Sequence, residues 1–204
     1  MSMNTLKLRL VASYFAVLFF MAIGCSESVK IPSSYVPFNL KDGTFACQAP
    51  EGWNNKGGGG KSGSPAWAKF ESGPALVEIK ASAAGSLMSD AMGGDAADAT
   101  APVPELAPVH LIHVAAIRDA EQKFKEYAET AASPVEIECQ LGPARLSEFT
   151  AKSSFGTALH GYRGTIIGHE RGVTIYCSSP ESDWQALKPT FDKIFATLEP
   201  GTPE

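Results

Sequence analysis

Four histidines, four cysteines and one glycine-rich loop are where any chemistry of this 204-residue chain would have to begin. His110 and His113 are three residues apart, so at the start of a helix both rings would project from one side, and zinc accepts such a nitrogen pair. A third ligand would have to come from His160 or His169, near the ends of other strands, and no Asp or Glu stands at a recognisable metal spacing with them. The expectation is no metal and no cofactor, with His110 and His113 as the candidate ligands and solvated or hydrogen-bonded rings as the plainer reading. Cys47, Cys139 and Cys177 are too widely spaced for a C-x-x-C redox or zinc motif. Each falls on an apolar strand face, where cysteine behaves as a small hydrophobe. In an oxidising compartment Cys139 and Cys177 are the expected disulfide pair if their strands are neighbours, leaving Cys47 free.

The segment Asn54–Ser62 ends in Gly60-Lys61-Ser62, as a phosphate loop does, but Asn55 stands where the first glycine is required. A proline turn precedes it and Ser64-Pro65 follows, so it lacks the strand and helix that aim backbone N–H groups at a phosphate. The segment reads as a flexible hairpin loop, and no nucleotide is expected. No G-x-S-x-G elbow occurs, and Glu136, Glu138 and Glu148 fall on strand faces expected to meet water. A hydrolase with a dispersed site is the remaining enzymatic alternative. With 17 basic against 22 acidic residues, net −5, the chain has no cationic footprint for nucleic acid.

The charge is unevenly placed. Lys7 and Arg9 precede every acid, the first of which is Glu27. Between them runs the apolar stretch Leu10–Gly24, whose 15 residues would span about 22 Å as a helix, short of a bilayer core of about 30 Å. A basic start, a short apolar core and small residues at its end make an export signal. Ala22-Ile23-Gly24-Cys25 resembles the bacterial lipobox, in which cleavage between Gly24 and Cys25 leaves a lipidated cysteine as the new N-terminus. Ordinary signal peptidase would cut the same bond and leave Cys25 unmodified, and an uncleaved anchor is the third reading. Ser26, not Asp, follows the cysteine, which by likeness to enterobacterial lipoproteins favours the outer membrane. Removal of residues 1–24 leaves 15 basic against 22 acidic groups, 15 − 22 = −7.

These groups must be positioned by the elements that follow. Residues 25–43, with Pro32 and Pro37 and no periodicity, read as a lipidated tether; residues 26–43 reach at most about 60 Å. Thr44–Ala49 alternates as a strand, and Trp67–Glu71 and Ala75–Ser82 pair as a hairpin across Ser72-Gly73-Pro74. Residues 83–108 hold eight alanines, three glycines, three prolines and four acids without a basic or aromatic residue, a composition that cannot bury enough apolar surface to order itself. A mobile loop is expected there. Helical spacing is read over His113–Thr130, a half-buried strand over Val135–Leu141, and long strands over Ala144–Lys152 and Ala158–Ile167. Gly168–Gly172 turns into a strand over Val173–Cys177. The last helix is expected from about Pro180 to Leu198, capped by Ser179 and kinked or restarted at Pro189. Its Trp184, Leu187, Phe191, Ile194 and Leu198 repeat at helical spacing.

Phe45, Pro50-Glu51-Gly52-Trp53, Tyr162-Arg163-Gly164 and the run from Trp184 to Leu198, with its F-x-x-I-F-x-x-L ending, follow a known pattern. It resembles the PsbP-like family, named after an extrinsic photosystem subunit and including bacterial lipoproteins. The resemblance covers about residues 44–199, with 200–204 as a tail. It implies an α+β fold, an antiparallel β-sheet flanked by helices in a single α/β/α sandwich, with residues 83–108 as an insertion. It implies no catalytic residues. The functional expectation is an exported lipoprotein held to the membrane by its lipid anchor, a non-enzymatic binding or support module for an envelope protein not identified by sequence. A small-ligand or metal-binding module is the alternative.

Overall fold

A computed structural model describes residues 28–60, 64–83, 107–131, 133–134, 139–168 and 171–203. The leader, Gly24, Cys25, residues 84–106 of the expected loop, Glu136, Glu138 and His169 lie outside them.

Long antiparallel strands build the centre of the molecule. Strands β4 (Ala66–Ser72) and β5 (Ala75–Ala83) form the expected hairpin. Strands β8 (Ala144–Lys152), β9 (Ala158–Ile167) and β10 (Arg171–Pro180) run antiparallel to one another, and β10 also pairs with β5. The edges are β3 (Asn54–Gly58) beside β4, and β6 (Lys125–Glu129) beside β8. The eight-stranded sheet runs β3-β4-β5-β10-β9-β8-β6, with the two-residue β7 (Ser133–Pro134) also on β8. A separate ribbon joins β1 (Tyr35–Asn39) to β2 (Ala46–Pro50).

One face of the sheet carries the apolar core. Val77 and Ile79 of β5, Val173, Ile175 and Cys177 of β10, and Tyr162 and Ile166 of β9 pack with helix α3 (Trp184–Ala196) and with Phe45, Cys47 and Ala49 at β2. Trp184, Leu187, Phe191, Ile194 and Leu198 are all buried, as their spacing requires. The Tyr162-Arg163-Gly164 triplet splits across the sheet. Tyr162 meets Trp184 edge-on at 4.9 Å, while a Cβ on Gly164 would lie 2.6 Å from Ile175 Cγ2 and 2.7 Å from Phe195 Cε2. Glycine there lets α3 approach the sheet. Arg163 faces the other side, under helices α1 (Ala107–Ala115) and α2 (Ile117–Lys123).

Several expectations are corrected. The helix expected over His113–Thr130 stops at Lys123, and Lys125–Glu129 is an edge strand that brings Glu129 to Arg163. Positive φ at Glu126 (49°) and a register shift between Lys125 and Ala128 mark the irregular entry into that strand. Residues 35–39, assigned to the tether, form β1; Pro37 is tolerated because the ribbon offers it an edge. The Asn54–Ser62 loop is largely strand β3. Of the strand expected over Val135–Leu141, residues 135–138 lie outside the described residues and Cys139–Leu141 enter a turn. Ser179 and Pro180 end β10; the Ser179 hydroxyl donates to the Pro180 carbonyl and caps nothing. A 3-10 turn (Glu181–Asp183) leads into α3, which continues through Pro189. The tail is fastened, since Asn39 Nδ2 donates to the Thr202 carbonyl at 2.6 Å and the Thr202 N–H donates to Asn39 Oδ1 at 3.1 Å.

Candidate functional site

The second face of the sheet is polar where it is most deeply covered. On β8 and β9, alternation sends Arg145, Ser147, Arg163 and Thr165 to the side of α1, and all four are buried. His113 descends from α1 between them. Its Nδ1 lies 2.9 Å from Thr165 Oγ1 and its Nε2 2.9 Å from Ser147 Oγ. A neutral imidazole satisfies both hydroxyls, donating from one nitrogen and accepting at the other. Burial pushes His113 down to about 2, with the positive charges of Arg163, His110 and Arg145 acting in the same direction.

Arg163 shows how this fold keeps a buried cation. Its Nε and Nη2 donate to the two oxygens of Glu129 at 2.9 and 2.6 Å, and Nη1 donates to the His113 carbonyl at 2.6 Å. Tyr127 donates its hydroxyl to Glu129 Oε2 at 2.6 Å, closing the carboxylate from the side. Burial opposes the Arg163 charge, but the hydrogen bonds and charge of Glu129 outweigh it and hold the guanidinium protonated. Next to this layer, Phe149 and Leu159 pack with Phe124, Tyr127 and Tyr176.

Arg145 is treated differently. It is 0% exposed, yet Nε, Nη1 and Nη2 have no hydrogen-bond partner among the described residues. His110, one helical turn before His113, has a buried Nδ1 that is likewise unpartnered. Burial and the charge of Arg145 both depress the His110 imidazole. Of the two expected metal-ligand candidates, then, His113 has spent both ring nitrogens on hydroxyls and His110 faces a cation. No group of three His, Cys, Asp or Glu side chains suited to a metal ion occurs among the described residues.

On the opposite face, near the start of α3, His160 lies between two carboxylates. Nε2 is 2.6 Å from Glu148 Oε1, Nδ1 is 3.0 Å from Glu181 Oε2, and the ring stacks on Trp184 at 4.2 Å. Glu148, expected to be merely solvated, is thus one arm of this bracket.

The three cysteines among the described residues, Cys47, Cys139 and Cys177, are free, so the expected Cys139–Cys177 disulfide is not formed. Its premise fails in the topology: β10 is flanked by β5 and β9, whereas Cys139 sits in the turn before β8, with its thiol 3.9 Å from the Leu198 carbonyl. Burial drives the Cys177 thiol up and pushes Cys47 up to about 12, which leaves both as inert packing groups.

Sequence reasoning finds His113 but misses Arg145, Ser147, Arg163, Thr165, Tyr127 and Glu129. The available signal is the same-face placement of arginine and hydroxyl residues on two adjacent strands, which alternation alone assigns to solvent. Among the described residues, one cleft of about 450 Å³ opens near Asp42, Thr44 and Arg171, and another of about 390 Å³ near Lys30, Asn54 and Ser72.

No family model matches the sequence, and no curated protein does. Among solved structures, the chain is similar to LpqN of Mycobacterium tuberculosis, described as involved in cell envelope biogenesis. That likeness has 8% identity over 83% of this chain and 91% of that one, with a TM-score of 0.48. It is similar also to cyanobacterial PsbP (CyanoP) of Synechocystis sp. PCC 6803, with 15% identity over 88% of this chain and 95% of that one, and a TM-score of 0.54. The antiparallel sheet with α3 on one face and α1 and α2 on the other is the PsbP-like α+β fold.

Proposed function

We propose that this chain is an exported lipoprotein of the cell envelope, anchored through Cys25, whose PsbP-like domain acts by binding an envelope partner and not by catalysis. The observation that carries the reading is the order of parts. A basic start, a short apolar core and Ala22-Ile23-Gly24-Cys25 lead within five residues to a domain held from Lys30 onward. Anchors with more than one acyl chain hold stably, each buried methylene contributing about 0.8 kcal/mol. Among the described residues no helix is long and apolar enough to cross a membrane, so a span would have to come from elsewhere.

Support for binding over catalysis comes from how the titratable groups are used. A general base needs a lone pair within reach of the proton it removes. Both nitrogens of His113 are taken by Thr165 and Ser147, both of His160 face carboxylates, and Glu129 is held by Arg163 and Tyr127. The experiment is metabolic labelling with a clickable fatty acid, followed by membrane fractionation. The wild type is expected to carry label and sediment with membranes, and Cys25→Ser to do neither. A Cys25→Ser protein labelled as strongly as wild type would refute the anchor.

A further inference from the structure

Two arginines on neighbouring strands pose the same problem and receive different answers. Arg163 is 1% exposed and is neutralised by the bidentate Glu129 carboxylate. Arg145 is 0% exposed, and among the described residues none of its three guanidinium nitrogens has a partner. No carboxylate among the described residues forms an ion pair with it, and burial lowers its pKa. Arg145 lies opposite Thr165 on β9, whose hydroxyl bonds His113 and not the guanidinium. Among the described residues, a second unpartnered buried atom on this side is His110 Nδ1, on the helix that packs over β8 and β9.

A buried charge without a counter-charge is among the most costly features a fold can retain. Water can satisfy its N–H groups but does not neutralise it. A planar guanidinium with a free fork matches the two oxygens of a carboxylate or phosphate group, and a neutral imidazole beside it can supply one further N–H donor. The geometry points to an anion-binding site on the α1 side of the sheet, in which Arg145 and His110 hold one carboxylate or phosphate group of a small ligand. Arg163 belongs to the framework of this site, since its fork is already filled. The site does not depend on Cys25 or on lipidation, so it stands or falls separately from the anchored-module reading.

Calorimetric titration and thermal unfolding of the leader-free protein test it, with inorganic phosphate and acetate as probes and chloride at matched ionic strength as the control. Phosphate or acetate should bind saturably and raise the melting temperature above the chloride control; which of them does so identifies the group. Arg145→Met should weaken that binding by roughly 10-fold or more. It should also melt no lower than wild type without ligand, because it removes an unpaired buried charge and keeps the packing volume. Arg145→Lys, which keeps the charge but loses the fork, should bind measurably more weakly than wild type. The His110 ring resonances should shift during the wild-type titration. Three outcomes would overturn the proposal: no effect of either anion beyond chloride, undiminished binding by Arg145→Met, or an Arg145→Met protein that is destabilised while wild type ignores both probes. The last would mean that a carboxylate of the chain itself neutralises Arg145.

Discussion

His113 contributes to stability only as an uncharged ring, because its two hydroxyl partners and three nearby cationic or basic groups leave no room for a proton. In the folded protein it is pushed down to about 2 by burial, with Arg163, His110 and Arg145 adding to the effect. In the unfolded chain it returns to about 6.5. Between those values the unfolded state binds a proton that the native state refuses, so stability is full above about pH 6.5 and falls as the pH drops below it. Integrated from about pH 7.5 to pH 5, this single ring should remove about 2 kcal/mol. His113→Gln retains an amide donor and acceptor but cannot titrate. Urea unfolding across that range should therefore give a steeper loss for wild type than for the variant, by about 2 kcal/mol at the acid end. Carboxylates change little above pH 5, and the other histidines are common to both proteins. Parallel curves would show that His113 accepts its proton in the folded state.

Among the elements, what the sequence makes legible and what it hides divide along the sheet. Strands β4, β5, β8, β9 and β10 lie inside it with a neighbour on both sides, and each is legible as a long run of strand-forming residues. Strand β4 alternates between buried and half-buried or exposed residues, whereas β9, covered on both faces, is buried almost throughout. Helix α3 is legible by its helical spacing. The strands that escape are β1, β3 and β6, and all are edges. There Pro37 costs no ladder bond, Asn54 and Lys56 face water, and Tyr127 and Glu129 point inward for the sake of a buried arginine. Of the candidate site, His113 is legible by its place on a helix, but its partners come from polar residues whose burial only the covering helices decide. Gly164 is a case in which motif and packing meet. Gly164→Ala should destabilise by about 1–3 kcal/mol, since the new methyl collides with Ile175 and Phe195 in a filled core. Pairing it with Phe195→Leu should recover part of the loss, as thermal unfolding of the four proteins in a double-mutant cycle would show. Additive losses would place the strain in the backbone of β9 instead.

For the whole molecule, the important distance is the one between Cys25 and the first fixed residue of the domain. Lys30 is held on both sides of its peptide: its N–H donates to Ser72 Oγ at 2.8 Å, and its carbonyl accepts from Trp53 Nε1 at 2.8 Å. Five peptide steps separate it from Cys25, a reach of about 18 Å at full extension. The tether read from sequence, at about 60 Å, would let the domain sample a wide volume; with Cys25 lipidated as proposed, this one would keep the end bearing Ser72 and Trp53 beside the bilayer. Ile31, 62% exposed, lies at the same end. Electrostatics does not draw the domain there, because the chain without its leader carries −7 and an anionic surface repels it. The lipid anchor would impose the proximity alone. On a supported bilayer, neutron reflectometry of the lipidated protein should find protein density beginning within about 20 Å of the headgroups, at low and high salt alike. Insertion of twelve Gly/Ser residues after Glu27 adds a flexible segment of about 20 Å root-mean-square length and should open a hydrated gap. A gap already present in the wild type would mean that Lys30 lets go of Ser72 and Trp53 at the membrane. A wild-type profile that tightens against the bilayer as salt rises would mean that charge repulsion, and not tether length, sets the distance.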